Sequence, residues 1–308
     1  MSPSGGEREA LEVLARLLPG PPAGETWFGD DAAVVAAPGG GQMLLAADTL
    51  VAGVDAELSL TSLADFGWKA MAVNLSDIAA MGGAPAHALV SVVGLGLPGL
   101  AELYEGLMEA ASSYCCPVVG GDLSAGDALV VSVAVTGRVE GRAVLRSGAR
   151  PGDTIWVTGP LGAAAAGLRC LRASAGGPLQ PHERALVLAH ARPVPRLAEG
   201  QAAREAGATA MIDVSDGLAV DLACLARSSG VGFELDDVPV APAATLEEAL
   251  GGGDDYELVF TLPAGAEPSN FERSGLPSPI KLGVCVACPE RRRWAGADLP
   301  LLGWAHTL

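Results

Sequence analysis

Aspartates recur in short glycine-punctuated or strand-end settings across nearly 200 residues of this 308-residue chain: Gly29-Asp30-Asp31, Asp48-Thr49, Asn74-Leu75-Ser76-Asp77, Gly120-Gly121-Asp122 and Asp213-Val214-Ser215-Asp216-Gly217. Taken singly, each Gly-Asp or Asp-Gly is an ordinary turn, because both residues are favoured there for backbone reasons. In several places, however, apolar strand-like residues run straight into the acid: Leu45 before Asp48, Val119 before Gly120-Gly121-Asp122, and Ile212 before Asp213. Carboxylates at strand ends are presented at one rim of a sheet, where they repel one another unless cations intervene. The pattern therefore predicts a magnesium site, since Mg²⁺ takes a few carboxylates and leaves its other positions to phosphate oxygens and water. Phosphate chemistry follows from that expectation.

The segment Asp213 to Gly217 is the sharpest of the set. Two carboxylates three residues apart on a strand-to-helix turn can grip one or two cations, with the following helix N-terminus open to phosphate. Ser215 or Asp216 can also simply cap the helix that starts at Leu218, and both readings can hold together. Ser215 is not expected to be a covalent nucleophile: no Gly-x-Ser-x-Gly surrounds it, and His87, His182, His190 and His306 show no pattern of a partner base. Gly94-x-Gly96-x-x-Gly99 follows a strand, but Pro98 and the lack of a clear parallel unit after it favour a loop before a helix. Cys285-x-x-Cys288 has no second pair and does not support zinc; a strand end with two small buried residues is expected. No Walker A lysine pattern occurs, so a nucleotide would be held by metals, backbone and arginines, of which Arg146 beside Ser147-Gly148 is the best placed.

With 19 Lys+Arg against 36 Asp+Glu the formal charge is −17, which disfavours nucleic-acid backbones and anionic lipid as partners. Carboxylates loaded with Mg²⁺ invert the local field and can still meet a phosphate. Six scattered cysteines and charged residues at positions 7 to 9 lead us to expect a reduced, cytoplasmic protein. The longest uncharged apolar stretch, Ala88 to Ala101, is shorter than the roughly 20 residues of a membrane helix.

The length predicts two domains. The boundary is placed near residue 140, in the Gly/Arg/Pro-rich stretch from Gly137 to Gly152, giving residues 1–140 and 141–308. Leu11, Leu14, Leu17 and Leu18 mark an amphipathic opening helix, and a long helix from about Leu60 to Met81 carries Lys69, Asn74 and Asp77. Pro178 to Glu183 and Pro263 to Pro279 read as surface loops.

Set in order, these segments resemble the thiamine-monophosphate kinase family, within the superfamily of aminoimidazole ribotide synthetase and selenophosphate synthetase. The matching pieces are Gly29-Asp30-Asp31, Asp48-Thr49-Leu50-Val51, Trp68 to Asp77, Met81-Gly82, Gly120-Gly121-Asp122, Arg146-Ser147-Gly148, Ile212 to Gly217, and Asp255-Tyr256-Glu257-Leu258. The resemblance implies a homodimer of two-domain α+β subunits, with an ATP-binding amino-terminal domain and an α+β carboxy-terminal domain that completes the active site. It implies direct Mg²⁺-assisted transfer of the ATP γ-phosphoryl group to thiamine monophosphate, without a protein nucleophile. Asp31, Asp48, Asp77, Asp122, Asp213 and Asp216 would be the ligands of several Mg²⁺ ions, Asp122 and Asp213 being the most critical. Gly121, Asp122, Arg146, Ser215 and Tyr104 would contact the nucleotide. Departures from the family pattern fall mainly at the acceptor end. Asp55 stands where the family has histidine, Asp254 where it has glutamate, and Ala46-Ala47 where it has hydroxyl residues, so a metal contact at Ala47 would use the backbone carbonyl. Trp304 would stack on the thiamine rings. Because of these departures, a relative acting on another phosphorylated acceptor, or a non-catalytic nucleotide-binding homologue, stays open at this point.

Overall fold

The computed structural model describes residues 5–174 and 177–304. In the first half, α1 (Gly5–Leu17), β1 (Ala33–Ala36), β2 (Gln42–Val51), α2 (Leu63–Ala80), β3 (Ala84–Val93), α3 (Leu97–Ser113), β4 (Val118–Ser124) and β5 (Val130–Val139) follow in order. Their strands form one sheet in the order β1-β2-β5-β3-β4, antiparallel except for the β3–β4 pair. The second half runs β6 (Thr154–Val157), α4 (Ala163–Ser174), α5 (Pro181–Ala191), α6 (Leu197–Glu205), β7 (Ala210–Asp213), α7 (Leu218–Ser229), β8 (Gly232–Leu235), α8 (Leu246–Gly251), β9 (Leu258–Leu262), α9 (Asn270–Arg273), β10 (Ile280–Val286), β11 (Arg292–Trp294) and β12 (Ala297–Asp298). Its seven strands form a second sheet in the order β12-β11-β8-β10-β6-β9-β7. The result is an α+β architecture of two mixed sheets with helices.

Strand β5 alternates cleanly: Val131, Val133, Val135 and Val139 are buried while Ala134 and Arg138 face outward, so one sheet face makes core. Helix α2 covers that face and is buried almost all round, because its other side meets the second half of the chain through Ala79 and Ala80, which share a core with Met211 and Phe260. Ser62 caps α2 by accepting the Asp65 N–H. Glycine lets α3 come close: a Cβ on Gly106 would overlap the Ala64 carbonyl oxygen, and one on Gly67 the Leu103 carbonyl oxygen.

Several expectations are corrected. Pro181 opens α5 at its first turn, where a missing N–H costs nothing, so the predicted 178–183 loop gives way to a helix. The 263–279 segment contains α9, whose Phe271 is fully buried. Asp48 and Asp122 lie inside β2 and β4 and only Asp213 ends its strand, because Gly120 and Gly121 extend β4 rather than break it. Cys285 is buried but Cys288 is exposed, and the leucines of α1 face solvent in this chain. Gly94 and Gly96 form the expected loop, with Gly96 capping α3.

Candidate active site

Strand β7 delivers Asp213 and helix α2 delivers Asp77 to the place where the loop before β1 brings Asp31. One carboxylate oxygen from each of these three residues lies within 4.8 Å of the others. Burial, then the Asp31 charge, pushes Asp213 up to about 7, even though Ser76 donates to it at 2.6 Å. Asp77 is raised well above the usual carboxylate range by burial and by Asp213, Asp31 and Asp48. Asp31 is gripped on one oxygen by Arg146, whose Nε donates at 3.1 Å. Burial works against the Arg146 charge, and the Asp31 carboxylate outweighs it. The other oxygen, Asp31 Oδ2, is buried with no hydrogen-bond partner among the described residues. An orphaned buried carboxylate oxygen beside two further carboxylates fits a hard divalent cation, which takes oxygen donors and offsets their repulsion.

The support around this cluster was only partly legible in sequence. Asp30 accepts the Arg146 backbone N–H at 2.8 Å and so fixes the arginine against the acids; burial raises its own pKa to about 6. Asn74 accepts the Asp48 backbone N–H at 2.8 Å. Asp221, which sequence reasoning missed, is buried and accepts the N–H groups of Asp216 and Gly217, holding the turn that carries Ser215 and Asp216. Its position four residues after Gly217, in the first turn of α7, was the available signal.

Next to the cluster lies a cavity of about 300 Å³ into which Asp48, Asp55, Ser215, Asp216, Asp254 and Trp304 all open. Trp304 donates its backbone N–H to the Asp216 carbonyl at 3.0 Å, tying the chain's end to the acidic turn. Asp55 lines this cavity, and its Oδ2 accepts the Val51 N–H at 2.7 Å, closing the bend after β2. Asp254 is paired with Lys69 at 2.7 Å, a contact spanning 185 positions. Ala47 faces outward on β2. Asp122 is exposed on β4, accepts from Ser124 at 3.2 Å, and lies outside the three-carboxylate group. Gly121 is required by packing, since a Cβ there would overlap the Val90 carbonyl oxygen on β3. Tyr104 packs beside the first core from α3.

Comparison with known proteins agrees with this fold. Residues 29–139 match the family AIR synthase related protein, N-terminal domain, and residues 150–287 match AIR synthase related protein, C-terminal domain. The chain is 40% identical over 252 residues to a thiamine-monophosphate kinase of Bacillus subtilis, covering 76% of this chain and 77% of that one. It is 39% identical over 278 residues to a thiamine-monophosphate kinase of Salmonella typhimurium, covering 86% and 83%. A solved structure of AaThiL complexed with AMPPCP and TMP superposes with a TM-score of 0.86 at 33% identity, covering 98% of this chain and 97% of that one.

Proposed function

The chain belongs to the thiamine-monophosphate kinase family, and from that premise we propose that it transfers the γ-phosphoryl group of ATP to the phosphate of thiamine monophosphate. The observation that carries this reading is the buried Asp31–Asp77–Asp213 group, with its orphaned Asp31 oxygen, opening beside a cavity large enough for a small acceptor. Asp31, Asp77 and Asp213 would hold Mg²⁺, with Asp48, Asp216, Asp122 and the Ala47 carbonyl as further ligands. The bound ions supply neutralisation of the phosphate oxygens, which gather charge in a loose phosphoryl-transfer transition state. The protein's own part is positioning. Arg146 and Ser76 orient Asp31 and Asp213, and Asp221 holds the turn that presents Ser215 and Asp216. Arg146, Ser215, Gly121 and Tyr104 serve the nucleotide; Asp55, Asp254 and Trp304 serve the acceptor. No side chain acts as a nucleophile, so transfer is direct and in line, and what the site contributes is alignment.

The reading includes a division near residue 140, action in the cytoplasm, and a homodimer formed through the outer face of the first sheet, where Leu45 and Leu89 are exposed. Among the described residues no helix is long and apolar enough to cross a membrane. The test is formation of thiamine diphosphate from ATP and thiamine monophosphate, with Mg²⁺ and with a chelator. Product that requires Mg²⁺ is the expected result. ATP binding without any product would turn the reading to another phosphorylated acceptor, and Mg²⁺-independent product would remove the metal role.

A further inference from the structure

Lys69 is an ammonium with almost no access to water: its side chain is 2% exposed, inside a helix whose neighbouring positions are core. A buried cation of this kind needs a matched partner, and Asp254 meets it at 2.7 Å from the far end of the chain. The same carboxylate accepts the Tyr256 hydroxyl on its other oxygen at 3.2 Å. His190 Nδ1 stands 3.8 Å from the lysine-bound oxygen. Asp254 also sits at φ +62° and Tyr256 at φ +50°, both in the left-handed region that non-glycine residues avoid. The segment is held there by the Asp254 N–H donating to the Ser215 carbonyl at 2.7 Å and the Tyr256 N–H donating to Val214 at 2.9 Å. The strained turn is thus stitched to the metal-binding turn.

We propose that Lys69 is a positioning residue that fixes and neutralises Asp254, so that the acceptor pocket reads a hydrogen-bond donor on an amino-substituted heterocycle rather than a positive charge. A carboxylate offers about four lone-pair sites, and the lysine and the tyrosine occupy one on each oxygen. The Asp254 side chain lines the cavity and is 33% exposed there. Because the ammonium already balances the carboxylate, a cationic ring entering beside it gains little Coulombic attraction, whereas an amino N–H aimed at a fixed acceptor gains a directional contact. Thiamine monophosphate carries both groups, and this inference rests on that acceptor being the right one.

The experiment is a double-mutant cycle on the intact enzyme: Lys69→Met, Asp254→Asn and the pair together, each read as the KM for thiamine monophosphate and, separately, the KM for ATP. Asp254→Asn is expected to raise the acceptor KM about tenfold and leave the ATP KM within about twofold, because one charge-assisted hydrogen bond is lost. Lys69→Met is expected to raise it at least as much, and the double variant no further than Asp254→Asn alone. Should either single variant fail to fold, Asp254→Asn because it leaves the buried Lys69 ammonium without its counter-charge, the double variant, which leaves neither charge unmatched, is read against the remaining one. Equal acceptor KM values in those two support the inference. A further tenfold loss in the double variant, or an ATP KM that moves as much as the acceptor KM, would overturn it, because Lys69 would then act on its own or only on the fold. A wild-type enzyme that forms no thiamine diphosphate would remove the acceptor reading and this inference together, whereas additive effects with an active wild type remove this inference alone.

Discussion

Asp31 shows the logic of the site within one residue: one oxygen satisfied by a half-buried arginine, the other left without a partner beside two more acids. Such a group stores unfavourable energy until a cation arrives, which makes opposite demands on stability and on turnover. Asp77→Asn removes one of the mutually repelling charges at nearly constant shape. The metal-free variant is therefore expected to be more stable by about 1 kcal/mol in denaturant titration while turnover falls at least about 100-fold at fixed Mg²⁺. Asp213→Asn and Asp122→Asn should also abolish turnover, and wild-type rates from either would remove it from the metal set. His190 permits a test by pH. Burial, then the Lys69 ammonium, lowers it from an ordinary 6.5 to about 4. The unfolded chain thus binds more protons than the folded one between these values, so stability rises with pH from about 4 to 6.5 and is lost on acidification across that window. The contribution is at most roughly 3 kcal/mol, and His190→Gln should flatten the acid limb of the stability curve by about that amount. Asp213, Ser215 and Asp216 were legible in the sequence because strand, turn and helix follow one another within a few residues. Lys69–Asp254 and Ser76–Asp213 were not, since each pair is brought together across well over a hundred positions by packing that no local pattern encodes.

Helix α2 is the element on which both halves of the site depend, for it carries Lys69, Asn74, Ser76 and Asp77. It is buried on nearly all sides, so it carries no polar face of the kind that marks a helix covering one side of a core. Its distance from α3 is set by two glycines, and here the intrinsic preference for alanine in helices is overruled. Gly106→Ala would gain about 1 kcal/mol from propensity alone. The added methyl would overlap the Ala64 carbonyl, though, so a net loss of about 2 kcal/mol or more is expected, measured as a lowered Tm. A raised Tm would mean that α2 and α3 separate freely, and the positions of Lys69 and Asp77 would not then be fixed by that contact. The elements missed in sequence have physical reasons. Helices α5 and α6 are short segments whose first turns carry prolines nearby, and Gly120-Gly121 reads as a turn although it lies in β4, where only glycine can approach β3 so closely.

At the scale of the molecule, the described residues cover the first sheet on one face only. On the other, Ala47 pairs with Ala134, and Ala134 with Leu89, so an apolar row crosses β2, β5 and β3, with Leu45 one step along. A face of this kind on a chain of net charge −17 is not solubilising, and pairing with a second copy about a two-fold axis, as in a closed homodimer, would cover it. Thr49, which bonds to Ser132, and Asp122 share the exposed side with it, so pairing through this face would bring the strands proposed to serve the nucleotide close to the interface. The wild type is therefore expected to sediment at twice its 30.9 kDa, and Leu89→Asp at 30.9 kDa with its circular dichroism intact. Salt separates this from charge-driven association. Because both subunits are acidic and the contact is apolar, raising ionic strength should tighten the dimer by screening repulsion, where an interface held by ion pairs would loosen. A wild type that sediments as a monomer while turning over fully would remove the dimer from the proposal. A Leu89→Asp variant that still dimerises would move the interface elsewhere, and the exposed leucines of α1, Leu11, Leu14 and Leu17, are the next surface to test.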